Sequence, residues 1–173
     1  MKKLNKIITL ALTAILTLTM FSCKKDTDVA GTEAKLPALQ LSSLGTQQTG
    51  PFASTQTIQL MFGATTTNTA TGAFRIEILN GTSASSAVLR TINFASWRGN
   101  DTPAAGTTAT NHSITYNLLP TTYQNTNVYG GSILLKLSAL NLTSGSTYSI
   151  RATAFAANGT SSSLTQTSFL KMQ

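Results

Sequence analysis

From residue 36 onward, apolar residues alternate with polar ones, and this period of two limits the fold more than any other feature. Ile58, Leu60 and Phe62 alternate with Gln59 and Met61, and Phe74, Ile76 and Ile78 alternate with Arg75 and Glu77. The pattern returns at Ile114, Tyr116 and Leu118, at Ile133, Leu135 and Leu137, and at Tyr148, Ile150, Ala152 and Ala154. Each row occupies one face of a strand, as a half-covered sheet requires. Past residue 35 no segment shows the stripe of about 3.6-residue period that a surface helix needs. Turn chemistry punctuates the rows. Gly50-Pro51, Asn80-Gly81 and Asn158-Gly159 break the chain, and Gly63 to Gly72, Trp97 to Ala109 and Thr121 to Gly131 read as polar loops. Leu36 to Leu41 is expected to open the sheet, with Pro37 at an edge, and Leu164 to Leu170 to close it. Val88, Arg90, Ile92 and Phe94 share one face of a strand and Leu89 the other, which leaves its orientation open. Seven or eight short strands with recurring turns predict an all-β, antiparallel β-sandwich over residues 36–173.

The first 22 residues follow a different rule. Lys2, Lys3 and Lys6 form a positive start, Ile7 to Phe21 form an apolar run broken by threonines, and Ser22 is small. That order is the architecture of an export signal. The run is too short to span a bilayer core of about 30 Å comfortably as a permanent helix. Cys23 follows it and is the single cysteine of the 173-residue chain, so no disulfide can form within the chain. Met20-Phe21-Ser22-Cys23 resembles the lipobox of bacterial lipoproteins, with Met20 where leucine is common and Phe21 where a small residue is common. Lys24-Lys25-Asp26 resembles the start of many Bacteroidetes lipoproteins. The resemblance implies a diacylglyceryl group on Cys23, hence at least two chains, which stable anchoring needs. Residues 1–22 are then a signal peptide and residues 23–35 a lipidated cysteine with a flexible tether. Twelve tether residues reach about 20 Å on average. The expected location is the cell envelope, anchored by lipid to the outer membrane and facing either the periplasm or the cell surface.

The formal charge of +7 overstates the mature protein. Three lysines leave with the signal, so nine cations face five acids, a net +4. In residues 36–173 the cations are Arg75, Arg90, Arg98, Lys136, Arg151 and Lys171, scattered without a patch. A nucleic-acid reader needs a basic patch or stripe, so that class is set aside.

Residues 140–163 resemble the last third of a fibronectin type III domain. Leu142, Gly145 and Tyr148 have that family's Leu-x-x-Gly-x-x-Tyr spacing, and Tyr148 is followed by the inward row Ile150, Ala152 and Ala154. The resemblance implies an immunoglobulin-like sandwich in which Tyr148 makes the tyrosine corner, its hydroxyl bonded to nearby backbone. Phe62 stands where the family has a tryptophan on its second strand. The excess length falls between Ser96 and Gly131, with an extra strand at Ile114 to Leu118.

Residues for chemistry are scarce. The domain has one histidine, His112, and two acids, Glu77 and Asp101. Paired-carboxylate hydrolysis and a Ser-His-Asp arrangement lack local signatures here. His112 reads as a solvated residue at a strand start. Gly99 to Thr102 offers oxygen ligands but one charge, so no metal and no cofactor is expected. The expected function is therefore non-catalytic: a tethered β-sandwich acting as an interaction or structural module, or, alternatively, a glycan-binding accessory lipoprotein of a polysaccharide-uptake system. The partners are the membrane, through Cys23, and a protein or glycan ligand. Trp97, Arg98, Tyr123 and Tyr129 in the insertion are the candidate ligand-binding residues, because sugars stack on aromatic rings. The competing reading has Trp97 and the tyrosines covering the end of the core.

Overall fold

The computed structural model describes residues 36–103 and 111–173. The expected signal peptide, Cys23 and the tether lie outside the described residues, as does the stretch 104–110.

The described chain is all-β. Its strands are β1 (Leu39–Gly45), β2 (Thr57–Thr67), β3 (Thr71–Leu79), β4 (Val88–Phe94), β5 (Gly99–Asn100), β6 (Ser113–Leu119), β7 (Thr126–Lys136), β8 (Thr147–Ala156) and β9 (Ser161–Lys171). One sheet has the order β1-β2-β7-β6-β5 and the other β4-β3-β8-β9, with antiparallel ladders throughout. The inward rows are those the alternation marks. Ile58, Leu60 and Phe62 of β2 and Ile133 and Leu135 of β7 are buried against Phe74, Ile76 and Ile78 of β3 and Ile150, Ala152 and Ala154 of β8. Each fully buried Ile, Leu or Phe contributes about 1.5–3 kcal/mol, so these rows hold the two sheets together.

The seam between β1 and β9 is closed by side chains. The Leu41 N–H donates to Ser162 Oγ at 2.9 Å, and Gln166 Nε2 donates to the Leu44 carbonyl at 2.9 Å. Both bonds occupy backbone groups of edge strand β1, which has no neighbour on that side.

Several expected loops are strand. Gly63 to Thr67 continues β2, because Ala64 and Thr66 are buried in phase with Phe62, and β-branched threonine suits a half-buried pleat. The turn shrinks to Asn68–Ala70, with Asn68 at φ 55°. The expected loop Thr121 to Gly131 is likewise shorter, since β7 starts at Thr126, and Thr126 and Tyr129 are both buried. Gly99–Asn100 pairs with Ile114 and Ser113, and the Thr102 N–H donates to the Asn93 carbonyl at 2.7 Å. Asn80-Gly81 opens a connection running to Ala87 rather than forming a two-residue hairpin. Leu137 leaves the strand for a 3-10 turn, Leu137–Ala139, but stays buried. The orientation of β4 is settled in part by Ile92 and Phe94, which are buried, while Val88 at its start is exposed.

Candidate functional site

The four aromatic and basic residues expected to form a ligand platform do not come together. Trp97 is 0 % exposed. Its indole N–H is shared between the carbonyls of Ala73 at 3.0 Å and Phe155 at 3.2 Å. Its ring meets Phe62 and Phe74 edge-on at 5.9 and 5.7 Å, and Tyr129 at 5.2 Å. Tyr129 is also buried and bonds Thr66 Oγ1 at 3.2 Å. Trp97 and Tyr129 are thus core residues, and the platform fails at its main residue. The physical reason is that the short span between β4 and β5 turns the indole into the space between the sheets, where a buried N–H finds two acceptors. Arg98 stays at the surface, its guanidinium 5.0 Å from the Tyr116 ring and bonded to the Tyr116 carbonyl at 3.1 Å. Tyr123 is 57 % exposed and lines a hollow that Arg98 does not.

The three corner residues behave differently. Leu142 and Tyr148 are buried, and Gly145 takes a φ of 75°, which favours glycine. The Tyr148 hydroxyl accepts the Thr143 N–H at 2.9 Å.

His112 is buried, not solvated. Its Nδ1 accepts the Lys136 N–H at 3.1 Å, and its carbonyl accepts the Asp101 N–H at 2.9 Å. The β5–β6 pairing brings Asp101 and His112 together, and both are buried. With Nδ1 occupied as an acceptor, the neutral ring carries its proton on Nε2. A carboxylate in a Ser-His-Asp arrangement must instead accept a hydrogen bond from one ring N–H while the other nitrogen faces the nucleophile. Burial pushes the His112 pKa below its ordinary 6.5; Asp101 opposes that shift and Lys136 adds to it. Glu77 is committed to Arg151 across the ladder at 3.2 Å. Among the described residues no group of three or more His, Cys, Asp or Glu side chains could hold a metal ion.

The site the fold does build lies on the outer face of the five-stranded sheet. Antiparallel register sets Met61, Ser132 and Thr115 side by side on β2, β7 and β6, and sets Gly63, Gly130 and Asn117 in the next row. Gly130 has no side chain on this face, so a hollow of about 340 Å³ opens between Met61, Leu119, Gln59 and Asn117. Asn117, Gln59, Thr115 and Ser132 supply amides and hydroxyls, and Met61 and Leu119 supply apolar surface. No Asp, Glu, Lys, Arg or His lines it. Leu134, on the same face beside Ser132, is exposed as well. A second hollow of about 420 Å³ is lined by Pro120, Thr121, Thr122, Tyr123 and Val128. The two are neighbours, because Leu119 pairs with Val128 in the β6–β7 ladder. Of the expected ligand-binding residues, Tyr123 alone lines either hollow. The sequence signal for this face is apolar residues in the outward phase: Met61 between Leu60 and Phe62, and Leu134 between Ile133 and Leu135.

No family model matches the chain, and no curated protein matches it. Among solved structures it is similar to a DUF4466 family protein from Parabacteroides merdae, with 11 % identity and a TM-score of 0.44. The match covers 79 % of this chain and 46 % of that one, so the chain spans less than half that protein's length.

Proposed function

We propose that this protein is a non-catalytic envelope lipoprotein, anchored to the outer membrane through Cys23, whose immunoglobulin-like sandwich presents an interaction surface. The observation that carries the interaction role is the uncharged hollow on the outer face of the five-stranded sheet, bordered by Met61 and Leu119, with Leu134 exposed on the same face. Apolar side chains in the outward phase of strands that already have a full inward row cost solubility and contribute nothing to the core. The surface is therefore kept for something that covers it.

The immunoglobulin-like reading is supported by strand order. Taking β1, β2, β3, β4, β6, β7, β8 and β9 as A, B, C, C′, D, E, F and G gives A-B-E-D on one sheet and C′-C-F-G on the other. It is supported also by Tyr148, which opens the strand read as F and bonds the backbone of Thr143 upstream. Trp97, arriving from the segment after β4, supplies the core indole that the second strand lacks at Phe62. On this assignment β6 and β7 belong to the plan as D and E, and within residues 96–131 the added strand is β5, at the edge of the sheet beside β6.

A glycan is the second reading, favoured by the make-up of the hollow. A neutral sugar presents an apolar ring face and hydroxyls, and here amides and hydroxyls border an apolar floor without charge. A glycan array probed with the mature protein tests both readings. Binding lost in Asn117→Ala and Met61→Ala, with unchanged melting, supports the glycan. A blank array joined to cross-links from Met61-side positions to an envelope protein supports the protein-interaction role. A blank array with no such cross-links contradicts both.

A further inference from the structure

We propose that the end of the sandwich bearing Leu118, Leu119 and Tyr123 is a lipid-surface contact, pressed against the membrane that holds Cys23; the inference rests on the anchoring reading above. Register fixes which parts of the chain share this end. Leu39, the first residue of β1, pairs with Thr66, Thr66 pairs with Asn127, and Val128 pairs with Leu119. The Thr67 N–H donates to the Ala38 carbonyl and the Asn68 N–H to the Asn125 carbonyl, both at 2.9 Å. The chain therefore enters the domain beside the Pro120–Asn125 loop. The C-terminus lies at the other end, where Met172 bridges Phe52 and Lys171 pairs with Thr147.

Exposure is uneven between the two ends. Of the seven large exposed hydrophobic side chains among the described residues, four are Leu36, Leu118, Leu119 and Tyr123, all at the entry end. Leu118 is 61 % exposed although it continues the inward row of Ile114 and Tyr116. The segments that form this end are 36–38, 68–70, 95–98, 118–125 and 157–160, and their single charged residue is Arg98, whose guanidinium donates to the Tyr116 carbonyl. No carboxylate would be repelled by lipid phosphates and no ammonium would need desolvation. Exposed leucines with a tyrosine are the side chains that settle at the headgroup boundary.

The tether decides which surface meets this end. The twelve residues of the expected tether between Cys23 and Leu36 would reach about 20 Å on average, less than the roughly 36 Å length of an eleven-residue strand such as β2. A lipid on Cys23 therefore makes contact between the entry end and the bilayer an intramolecular event at high effective concentration. A few leucines and a tyrosine that would not hold a free protein to a membrane suffice under that condition.

The test uses the full lipid-modified chain in vesicles of phosphatidylethanolamine and phosphatidylglycerol. Thr122→Cys at the entry end and Ser54→Cys at the far end each take an environment-sensitive fluorophore, and Cys23 is blocked by its lipid. The Thr122 label should be blue-shifted on the vesicles and quenched by spin-labelled phospholipid, and the Ser54 label should show neither effect. Adding Leu118→Asn and Tyr123→Asn should restore the Thr122 signal while the protein still sediments with the vesicles and melts as before. Equal quenching at both sites, or at neither, overturns the proposal. So does a Thr122 label shielded from water only when other envelope proteins are present, which would make this end a protein interface. A chain that stays in the supernatant with Cys23 open to the fluorophore overturns the anchoring reading and this inference with it.

Discussion

The Trp97 indole N–H donates to the Ala73 carbonyl at 3.0 Å from the centre of the aromatic cluster between the sheets. This makes the only tryptophan of the chain a structural residue. Trp97→Ala should lower unfolding free energy by about 3–5 kcal/mol, the range for emptying a buried tryptophan site. Urea denaturation at constant slope measures it. A midpoint unchanged by the substitution would place the ring outside the core.

Two adjacent glycines in β7 should respond oppositely to alanine. A Cβ on Gly131 would fall on the Phe62 ring and lie 2.8 Å from the Thr115 carbonyl oxygen. Phe62 cannot retreat, because Phe74 and Trp97 pack against it at 4.9 and 5.9 Å. Gly131→Ala should cost about 1–3 kcal/mol. A Cβ on Gly130 meets the flexible end of Leu119 at 3.3 Å, so Gly130→Ala should stay within about 0.5 kcal/mol of wild type. Equal effects in the two variants would show that the inward and outward faces of β7 are assigned wrongly.

Tyr148→Phe removes the acceptor for the Thr143 N–H. Thr143 is exposed, so water can replace the hydroxyl on the backbone side, and the cost should be about 1 kcal/mol, the low end for a lost partner. Tyr148→Ala, which also empties a buried site, should cost about 3–5 kcal/mol. Chemical denaturation of both variants separates the hydroxyl from the ring.

His112 gives the domain an acid limb. Its folded pKa lies below the ordinary 6.5, so the unfolded chain binds the extra proton first as pH falls. The stabilisation from the neutral ring is complete above about pH 6.5 and is lost as pH drops toward the folded-state value. His112→Gln keeps an acceptor for the Lys136 N–H without the titration. Unfolding midpoints at about pH 7.5 and about pH 5 should fall more for wild type than for His112→Gln. Parallel losses would assign the acid sensitivity to other groups.

How much of this was legible in the sequence depends on which residues carry the pattern. Rows such as Phe74, Ile76 and Ile78, or Tyr148, Ile150, Ala152 and Ala154, are wholly apolar in the inward phase, and their strands read directly. The first half of β7 is not: its inward phase is Asn127, Tyr129 and Gly131, a polar, an aromatic and an absent side chain, so the period disappears into a loop-like composition. Trp97 failed for a related reason. A tryptophan flanked by Ser96, Arg98 and Gly99 has polar neighbours in sequence, and its two carbonyl partners come from β3 and β8. The Asp101–His112 contact depends on the pairing of β5 with β6, which no local pattern marks. The outward-facing hollow was half legible, since Met61 and Leu134 stand in the polar phase of their strands, but Gly130 shows its role only once register sets it beside Gly63 and Asn117.

The central claim is that lipid on Cys23 holds this sandwich to the membrane, and metabolic labelling with an alkyne fatty acid tests it most directly. Wild-type protein should carry the label and Cys23→Ala should not. Equal label on the two chains, or none on either, would contradict it.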